Sequence, residues 1–219
     1  KSTFHYKPVL GEYGVIERFE EVKTDEIVAK TIGKTADEIR EMVDNILSRD
    51  KFSHILESFP GNSGSLEWNY IILWPWWWGK TALIKEMSQN PNIATVEIGK
   101  ADIVDMWVWA TEKNIKAMYE LSAKIHHQTK KHVFIFIDEV DALLAPISTT
   151  KGWINIQKEI QTMLDGVHAY PGVHTIMLSN KPHGIPIDIY RRMEKTFVLA
   201  DLDLKEKVEL IHSRIDRYP

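Results

Sequence analysis

Three short stretches of this chain carry residues that could hold and split a phosphate group, and the first is Gly79-Lys80-Thr81. These residues end the phosphate-binding pattern G-x-x-x-x-G-K-[ST], in which backbone N–H groups and a helix N-terminus hold the phosphates. Lys80 would contact the β- and γ-phosphates, and the Thr81 hydroxyl would bind Mg²⁺. The pattern is only half present, because it requires glycine at position 74, where this chain has tryptophan.

The second stretch is an apolar run that ends in acids, VFIFIDEVDAL at residues 133–143. Asp138 would hold Mg²⁺ through its water shell, and Glu139 would polarise an attacking water. The alternative is that these acids only solubilise a strand end, and a third acid, Asp141, makes that alternative less favoured. The third stretch is Asn180, whose amide could orient the same water, although alone it is typical of a turn.

These residues need a scaffold that brings several strand ends together. Apolar runs predict five strands, at residues 69–73, 94–99, 132–137, 173–179 and 195–200, and 3.6-residue periodicity predicts helices at 35–49, 80–88, 111–131 and 154–166. Strands that alternate with helices predict an α/β domain of three layers with a five-stranded, mainly parallel sheet. Ligands bind beyond the carboxyl ends of such strands. We expect residues 1–25 to be an extension or linker, and Thr35 to cap the first helix with Glu38 as its capping-box partner.

The composition narrows the function classes. The chain has 219 residues, 44% of them hydrophobic, which is enough for one sizeable core or for a core with an appendage. Its net charge of −4 gives no general attraction to nucleic acid or anionic membranes. It has no cysteine, so a disulfide framework is excluded and a reducing, cytoplasmic location is expected. No apolar run approaches the roughly 20 residues that span a bilayer. Because the chain begins with lysine, we expect it to be a fragment of a longer protein.

The order of these motifs resembles that of the AAA+ ATPases, in the clade that unfolds or disassembles proteins. The resemblance covers about residues 28–215 and rests on five segments: residues 74–81, 102–124, 133–144, 176–182 and 189–202. TIGK at residues 31–34 resembles the signature that precedes the domain in that family. The resemblance implies a P-loop NTPase fold, with an N-terminal extension at residues 1–27, a large nucleotide-binding subdomain at 28–219 and no helical lid subdomain.

The resemblance also assigns roles to individual residues. ATP and Mg²⁺ would be bound by Gly79, Lys80, Thr81 and Asp138, of which Thr81 and Asp138 contact the metal. Glu139 would activate the water, and Asn180 would sense the nucleotide.

Two further pairs of residues are assigned roles by resemblance. Arg191 and Arg192 resemble arginine fingers, which complete the site of the neighbouring subunit; the alternative is a solvated basic pair. Trp107 and Val108 resemble the pore loop that grips a polypeptide; the alternative is that they belong to the core. We therefore expect a homo-oligomeric ring, a hexamer by resemblance, that uses MgATP hydrolysis to thread a protein substrate, with no nucleic-acid partner and no membrane insertion.

Tryptophans depart from the family pattern at five loop positions. Trp74, Trp76, Trp77 and Trp78 stand where the family has Gly, Pro, Gly and Thr, and Trp109 replaces a glycine after the pore-loop pair. Glycine allows positive φ and a close approach to the anion, whereas tryptophan is bulky and strained there. Three tryptophans at expected glycines indicate one cause rather than independent changes.

Two hypotheses follow from the tryptophans. The first is an ATPase with an altered loop, which we favour because the charged candidates are all retained. The second is a catalytically silent scaffold or interaction module whose nucleotide pocket is filled by tryptophans. Insertion of the indoles in a membrane interface or stacking on single-stranded nucleic acid would need a basic flank that is lacking here. A further alternative is that the tryptophans form the hot spot of a protein-interaction module.

Overall fold

The computed structural model describes residues 4–23, 31–50, 69–74, 80–103, 108–145, 147–149, 152–154, 156–165, 170–199 and 203–215. The strands are β1 (His5–Leu10), β2 (Ile16–Glu21), β3 (Asn69–Leu73), β4 (Ile93–Ile98), β5 (His132–Ile137), β6 (Ile147–Thr149), β7 (Gly152–Ile154), β8 (Val173–Ser179) and β9 (Lys195–Val198). The helices are α1 (Lys34–Asp50), α2 (Lys80–Ser88), α3 (Lys100–Ile103), α4 (Val108–Thr129), α5 (Val140–Leu144), α6 (Ile156–Leu164), α7 (Ile187–Tyr190) and α8 (Leu204–Ile215). Short 3₁₀ helices occupy Glu12–Gly14 and Pro182–Gly184.

The main sheet has seven strands in the order β2-β1-β4-β5-β8-β3-β9. Every neighbouring pair is parallel except β1 and β2, which form an antiparallel hairpin at one edge. The predicted parallel α/β fold is confirmed, but the predicted number of five strands is wrong. The two additional strands lie in residues 1–25, where we expected an extension or linker. Edge strands bury few side chains, and β2, with four of its six residues exposed, gives no clear hydrophobic alternation.

Two hydrophobic clusters, one on each face of the sheet, produce the predicted three layers. Along β5 all six residues are buried, and alternate side chains point to opposite faces. Phe134 and Phe136 pack with α1 and α2, whereas Val133, Ile135 and Ile137 pack with α4, α5 and α6. The continuous apolar run of β5 therefore reflects burial on both faces.

Several predicted boundaries are confirmed residue for residue, namely those of β3, α2, β5 and β8. The helix predicted to begin at residue 154 begins at Ile156, because residues 152–154 pair with 147–149 as a small hairpin. The predicted cap at Thr35 is wrong. The helix already begins at Lys34, the Thr35 hydroxyl donates to the carbonyl of Val198 at 3.2 Å, and Glu38 accepts from Lys195 at 3.0 Å.

Among the described residues, no helix combines the length and the apolar character needed to cross a bilayer.

Candidate active site

The carboxyl ends of β5, β8 and β3, which lie side by side, form the edge where the candidate residues meet. Ile137 is opposite Met177, and Leu73 is opposite Ser179, so Asp138 and Asn180 both follow at this edge. The Trp74 backbone N–H donates to the carbonyl of Ser179 at 2.7 Å, which extends the pairing by one residue. Because α2 leads from the end of β3 back to the start of β4, its N-terminus at Lys80 faces the same edge.

Asp138 and Glu139 are held by the backbone in different ways. The Asp138 N–H donates to the carbonyl of Ile98 at 2.9 Å, which fixes it beside the end of β4, and its carboxylate accepts the Glu139 N–H at 2.8 Å. Glu139 has left-handed backbone angles, φ 51° and ψ 41°, and immediately precedes α5. Such a conformation costs a non-glycine residue roughly 1–2 kcal/mol. It leaves the Glu139 side chain exposed at the rim.

An open cleft of about 610 Å³ lies beside these two acids, at the ends of β4 and β5. Its lining includes Gly99, Lys100 and Ala101 together with Asp138 and Glu139. A carboxylate pair beside a cleft, at the sheet edge that the N-terminus of α2 also faces, can bind a hydrated divalent cation and polarise a water molecule.

A buried contact that the sequence did not reveal joins α5 to β8. The Ser179 hydroxyl donates to the Asp141 carboxylate at 2.6 Å and accepts the Lys181 N–H at 2.9 Å. Gly184 packs so closely on α5 that an added Cβ would lie 2.8 Å from that of Asp141. Asp141 therefore ties the acidic segment to the strand that ends before Asn180, instead of adding a third carboxylate to the rim. Two sequence features could have indicated this contact: the position of Asp141 in the D-E-V-D segment, and the serine that precedes Asn180.

The two arginines have different surroundings. Arg192 donates from Nε and Nη2 to the two carboxylate oxygens of Asp165, at 2.5 and 2.9 Å, and from Nη1 to the carbonyl of Asp188 at 2.6 Å. The hydrogen bond from Arg192 lowers the pKa of Asp165 below its usual value. The Arg191 side chain is 72% exposed, and its Nη1 lies 3.5 Å from the Asp188 carboxylate. Arg192 is thus bound within the chain, whereas Arg191 projects into solvent.

Several predicted site residues lie wholly or partly outside the described residues. Gly79, Trp76, Trp77, Trp78 and Trp107 lie outside them, as do the side chains of Lys80, Val108 and Trp109. Thr81 is exposed in the first turn of α2.

Trp74 is described, and its side chain is not at the surface. It is 4% exposed and packs in the hydrophobic cluster that includes Met42 of α1 and Leu83 and Ile84 of α2. This indole is therefore part of the core between the helices and the sheet.

The residues present fit a magnesium ion that is shared with a nucleotide. Mg²⁺ prefers oxygen ligands and is commonly bound through one or two carboxylates together with substrate phosphates. Asp138 is half-buried, and Thr81 is exposed at the start of α2, so each can offer an oxygen to such an ion.

Comparison with known families decides the assignment. The model of the ATPase family associated with various cellular activities (AAA) matches residues 76–200, which is more than half of the 219 residues. The chain belongs to the AAA family of ATPases. The predicted resemblance is thereby confirmed, and by that resemblance this AAA chain is grouped with the ATP hydrolases. The β1–β2 hairpin lies outside the matched span.

Three curated relatives show which kinds of protein this AAA chain is similar to. The ATP-dependent zinc metalloprotease FtsH of Rickettsia bellii is 27% identical over 85% of this chain and 29% of its own length. The vacuolar protein sorting-associated protein 4 of Dictyostelium discoideum is 26% identical over 74% of this chain and 36% of its own length. The cell division cycle protein 48 homolog of Archaeoglobus fulgidus is 27% identical over 62% of this chain and 19% of its own length. This AAA chain therefore spans about a fifth to a third of these relatives.

Proposed function

We propose that this chain is the nucleotide-binding subdomain of an ATP-dependent protein-remodelling motor. The observation that carries the proposal is the arrangement of one sheet edge, where Asp138, Glu139 and Asn180 follow adjacent strands beside the N-terminus of α2. We keep the predicted division into an extension at residues 1–27 and a subdomain at 28–219, with the β1–β2 hairpin of the extension paired to the sheet.

The proposed hydrolysis depends on positioning and electrostatics, because phosphoryl transfer needs little covalent help from protein. Lys80, Gly79 and the first N–H groups of α2 hold the phosphates, and Thr81 and Asp138 hold Mg²⁺. The ion, when bound, neutralises charge that develops on the phosphate oxygens. Glu139 accepts the proton of the attacking water, and Asn180 orients that water.

Arg191 is the better candidate for a finger that acts on a neighbouring copy. Its side chain is 72% exposed, and within the described ranges its one ion pair is a 3.5 Å contact to Asp188. The bidentate pair of Arg192 with Asp165 instead fixes the turn that carries Arg191. A guanidinium supplied by a neighbour makes hydrolysis depend on assembly, which supports a homo-oligomeric ring, a hexamer by resemblance.

The substrate is proposed to be a protein, threaded past Trp107 and Val108 in the ring's pore. This rests on the resemblance of residues 102–124 to the pore-loop segment of the family, and on relatives named as a protease and a protein-sorting factor. We further propose a cytoplasmic location, without a nucleic-acid partner or membrane insertion.

ATP turnover by matched variants tests the proposal. One variant carries Trp76→Pro, Trp77→Gly and Trp78→Thr and keeps Trp74, because that indole is buried in the core. A second variant adds Trp74→Gly, which removes a buried side chain at an expected cost of about 3–5 kcal/mol. We expect the first variant to hydrolyse ATP faster than the original chain and to lose that activity with Glu139→Gln. No turnover in either folded variant would contradict the proposal.

The silent scaffold is the second candidate. The burial of Trp74 favours it, because this indole contributes to the hydrophobic core. Tryptophan fluorescence separates the two candidates. Titration with MgATP should quench the indoles of the loop if nucleotide enters, whereas a scaffold with a filled pocket shows no change at any nucleotide concentration.

A further inference from the structure

A cluster of charged groups holds the two helices on one face of the sheet together. Arg40 lies on α1 and Glu86 lies on α2, 46 residues apart in sequence. Arg40 Nε donates to Glu86 Oε1 at 2.7 Å, and Nη2 lies 3.3 Å from Oε2. A third nitrogen, Nη1, donates to Asp37 at 2.5 Å. The pair is therefore bidentate.

The same two side chains also hold the backbone of Thr31. The Thr31 N–H donates to Glu86 Oε2 at 2.6 Å, and the Thr31 carbonyl accepts from Arg40 Nη2. Thr31, Arg40 and Glu86 thus form a closed ring of hydrogen bonds that joins the segment before α1 to α2. We call these three residues the Arg40 clamp.

The clamp is partly buried and strongly bonded. The Arg40 and Glu86 side chains are 26% and 20% exposed. Burial alone would raise the pKa of Glu86, but the hydrogen bonds from Arg40 and Thr31 lower it below its usual value. A planar guanidinium can serve the carboxylate and the carbonyl together, whereas a lysine ammonium on its flexible stem cannot reproduce this fork.

The position of the clamp connects it to the candidate site. The start of α1 lies at the carboxyl edge of the sheet, because the Thr35 hydroxyl donates to the carbonyl of Val198, the last residue of β9. The start of α2 faces the same edge. Arg40 and Glu86 lie between one and two turns after the starts of α1 and α2, and Thr31 lies just before α1. The clamp therefore fixes the spacing between the two helix starts.

We propose that Arg40 and Glu86 are positioning residues that lock the segment 31–34 to α2 and so hold the nucleotide helix in its binding position. The inference rests on the proposed function, since it names the ligand of α2 as MgATP. In this arrangement a force on the chain before Thr31 would be transmitted to α2 through the side chains of Arg40 and Glu86.

Hydrogen exchange and MgATP affinity, measured on the same proteins, test the inference. The variants are Arg40→Ala, Glu86→Ala and Arg40→Lys. The matched control is Lys195→Ala, because Lys195 makes a 3.0 Å ion pair with Glu38 of the same helix α1 and, in the part of the chain that the structure describes, no hydrogen bond or ion pair to α2. All are compared under conditions in which each remains folded.

We expect Arg40→Ala and Glu86→Ala to speed amide exchange about tenfold or more at both residue 31 and the first turns of α2, and to weaken MgATP binding about tenfold, as loss of a charge-assisted hydrogen bond implies. Arg40→Lys should not restore either value, and Lys195→Ala should change neither.

Two contrary results are distinguishable. If Arg40→Ala binds MgATP as the original chain does, or if exchange changes at residue 31 alone, the inference is overturned and the proposed function stands. If neither the original chain nor the chain with Trp76→Pro, Trp77→Gly and Trp78→Thr binds MgATP while exchange responds at both segments, the lock stands and the proposed function is overturned together with the role of the clamp in nucleotide binding.

Discussion

At Ser179, a single hydroxyl joins two parts of the candidate site. It donates to the buried carboxylate of Asp141, 2.6 Å away, and accepts the N–H of Lys181. A buried carboxylate needs such donors, because an unsatisfied charge in a low-dielectric environment is costly. The contact fixes the end of β8, and therefore the start of the Asn180 turn, relative to α5.

Replacement of this hydroxyl gives a prediction at the residue scale. Ser179→Ala should lower the free energy of unfolding by about 1.5–3 kcal/mol, since hydrogen bonds to charged groups contribute that much. Urea denaturation measures the change. Ser122→Ala is the control, because Ser122 is also buried but donates to the neutral carbonyl of Met118 at 2.7 Å. Equal losses in the two variants would contradict the importance of the Asp141 partner.

At the scale of elements, one buried side chain reinforces the β1–β4 pairing that joins the N-terminal hairpin to the domain. Asn114 of α4 accepts the Ile16 N–H at 2.8 Å and donates to the carbonyl of Gly14 at 2.8 Å. It also lies 3.3 Å from the carbonyls of Asp102 and Ile103, at the end of α3. Three segments of the chain thus meet at one amide.

Loss of this amide should loosen the hairpin before the rest of the domain. Asn114→Ala leaves buried backbone groups without partners, at an expected cost of about 1–3 kcal/mol. Amide exchange should accelerate in β1 and β2 more than in β5, which lies at the centre of the sheet. Asn90→Ala, which removes only an exposed turn contact to the Asn92 N–H, is the control. Uniform acceleration across the sheet would show that the hairpin is not a separate unit.

The amino-terminal ends of β5 and β8, opposite the strand ends of the candidate site, carry a histidine cluster that links strand packing to pH. His132 of β5 lies 2.9 Å from His174 of β8, and the His126 ring centroid is 6.1 Å from that of His132. Burial holds the pKa of His174 well below its usual value, and the neighbouring His132 and His126 lower it further. The folded chain therefore resists protonation that the unfolded chain accepts near pH 6.5.

Acid should accordingly destabilise the fold. Above about pH 6.5 this group is neutral in both states and adds no pH dependence; below it the unfolded state binds more protons, so the free energy of unfolding falls by up to about 1.4 kcal/mol per pH unit until the folded pKa is reached. His174→Gln should flatten this decline in thermal melts between pH 7.5 and 5.5, whereas His127→Gln, at an exposed position of α4, should not. An unchanged slope in His174→Gln would refute the assignment.

For the whole molecule, the sequence predicted the strands that are buried on both faces of the sheet. It did not predict the contacts between residues that are distant in the sequence. The apolar run of β5 and the mostly apolar, fully buried segment of β8 predicted the boundaries of these strands and the parallel sheet. The β1–β2 hairpin was missed because β2 is mostly exposed. The Ser179–Asp141 and Arg40–Glu86 contacts join residues 38 and 46 positions apart, and only the strand and helix packing brings them together. The acids at residues 138–139 were predictable because they directly follow a buried strand.

The proposed ring makes a prediction that is tested with a mixture of two variants rather than with one variant alone. If Arg191 completes the site of a neighbour, a chain with Arg191→Ala and a chain with Glu139→Gln are each inactive, but a mixed ring contains interfaces with an intact Glu139 and an intact Arg191. ATP turnover by the mixture should therefore exceed that of either variant alone, in a background with the loop residues Trp76, Trp77 and Trp78 replaced as above. A mixture no more active than its components, although the variants assemble, would show that Arg191 does not act across the interface.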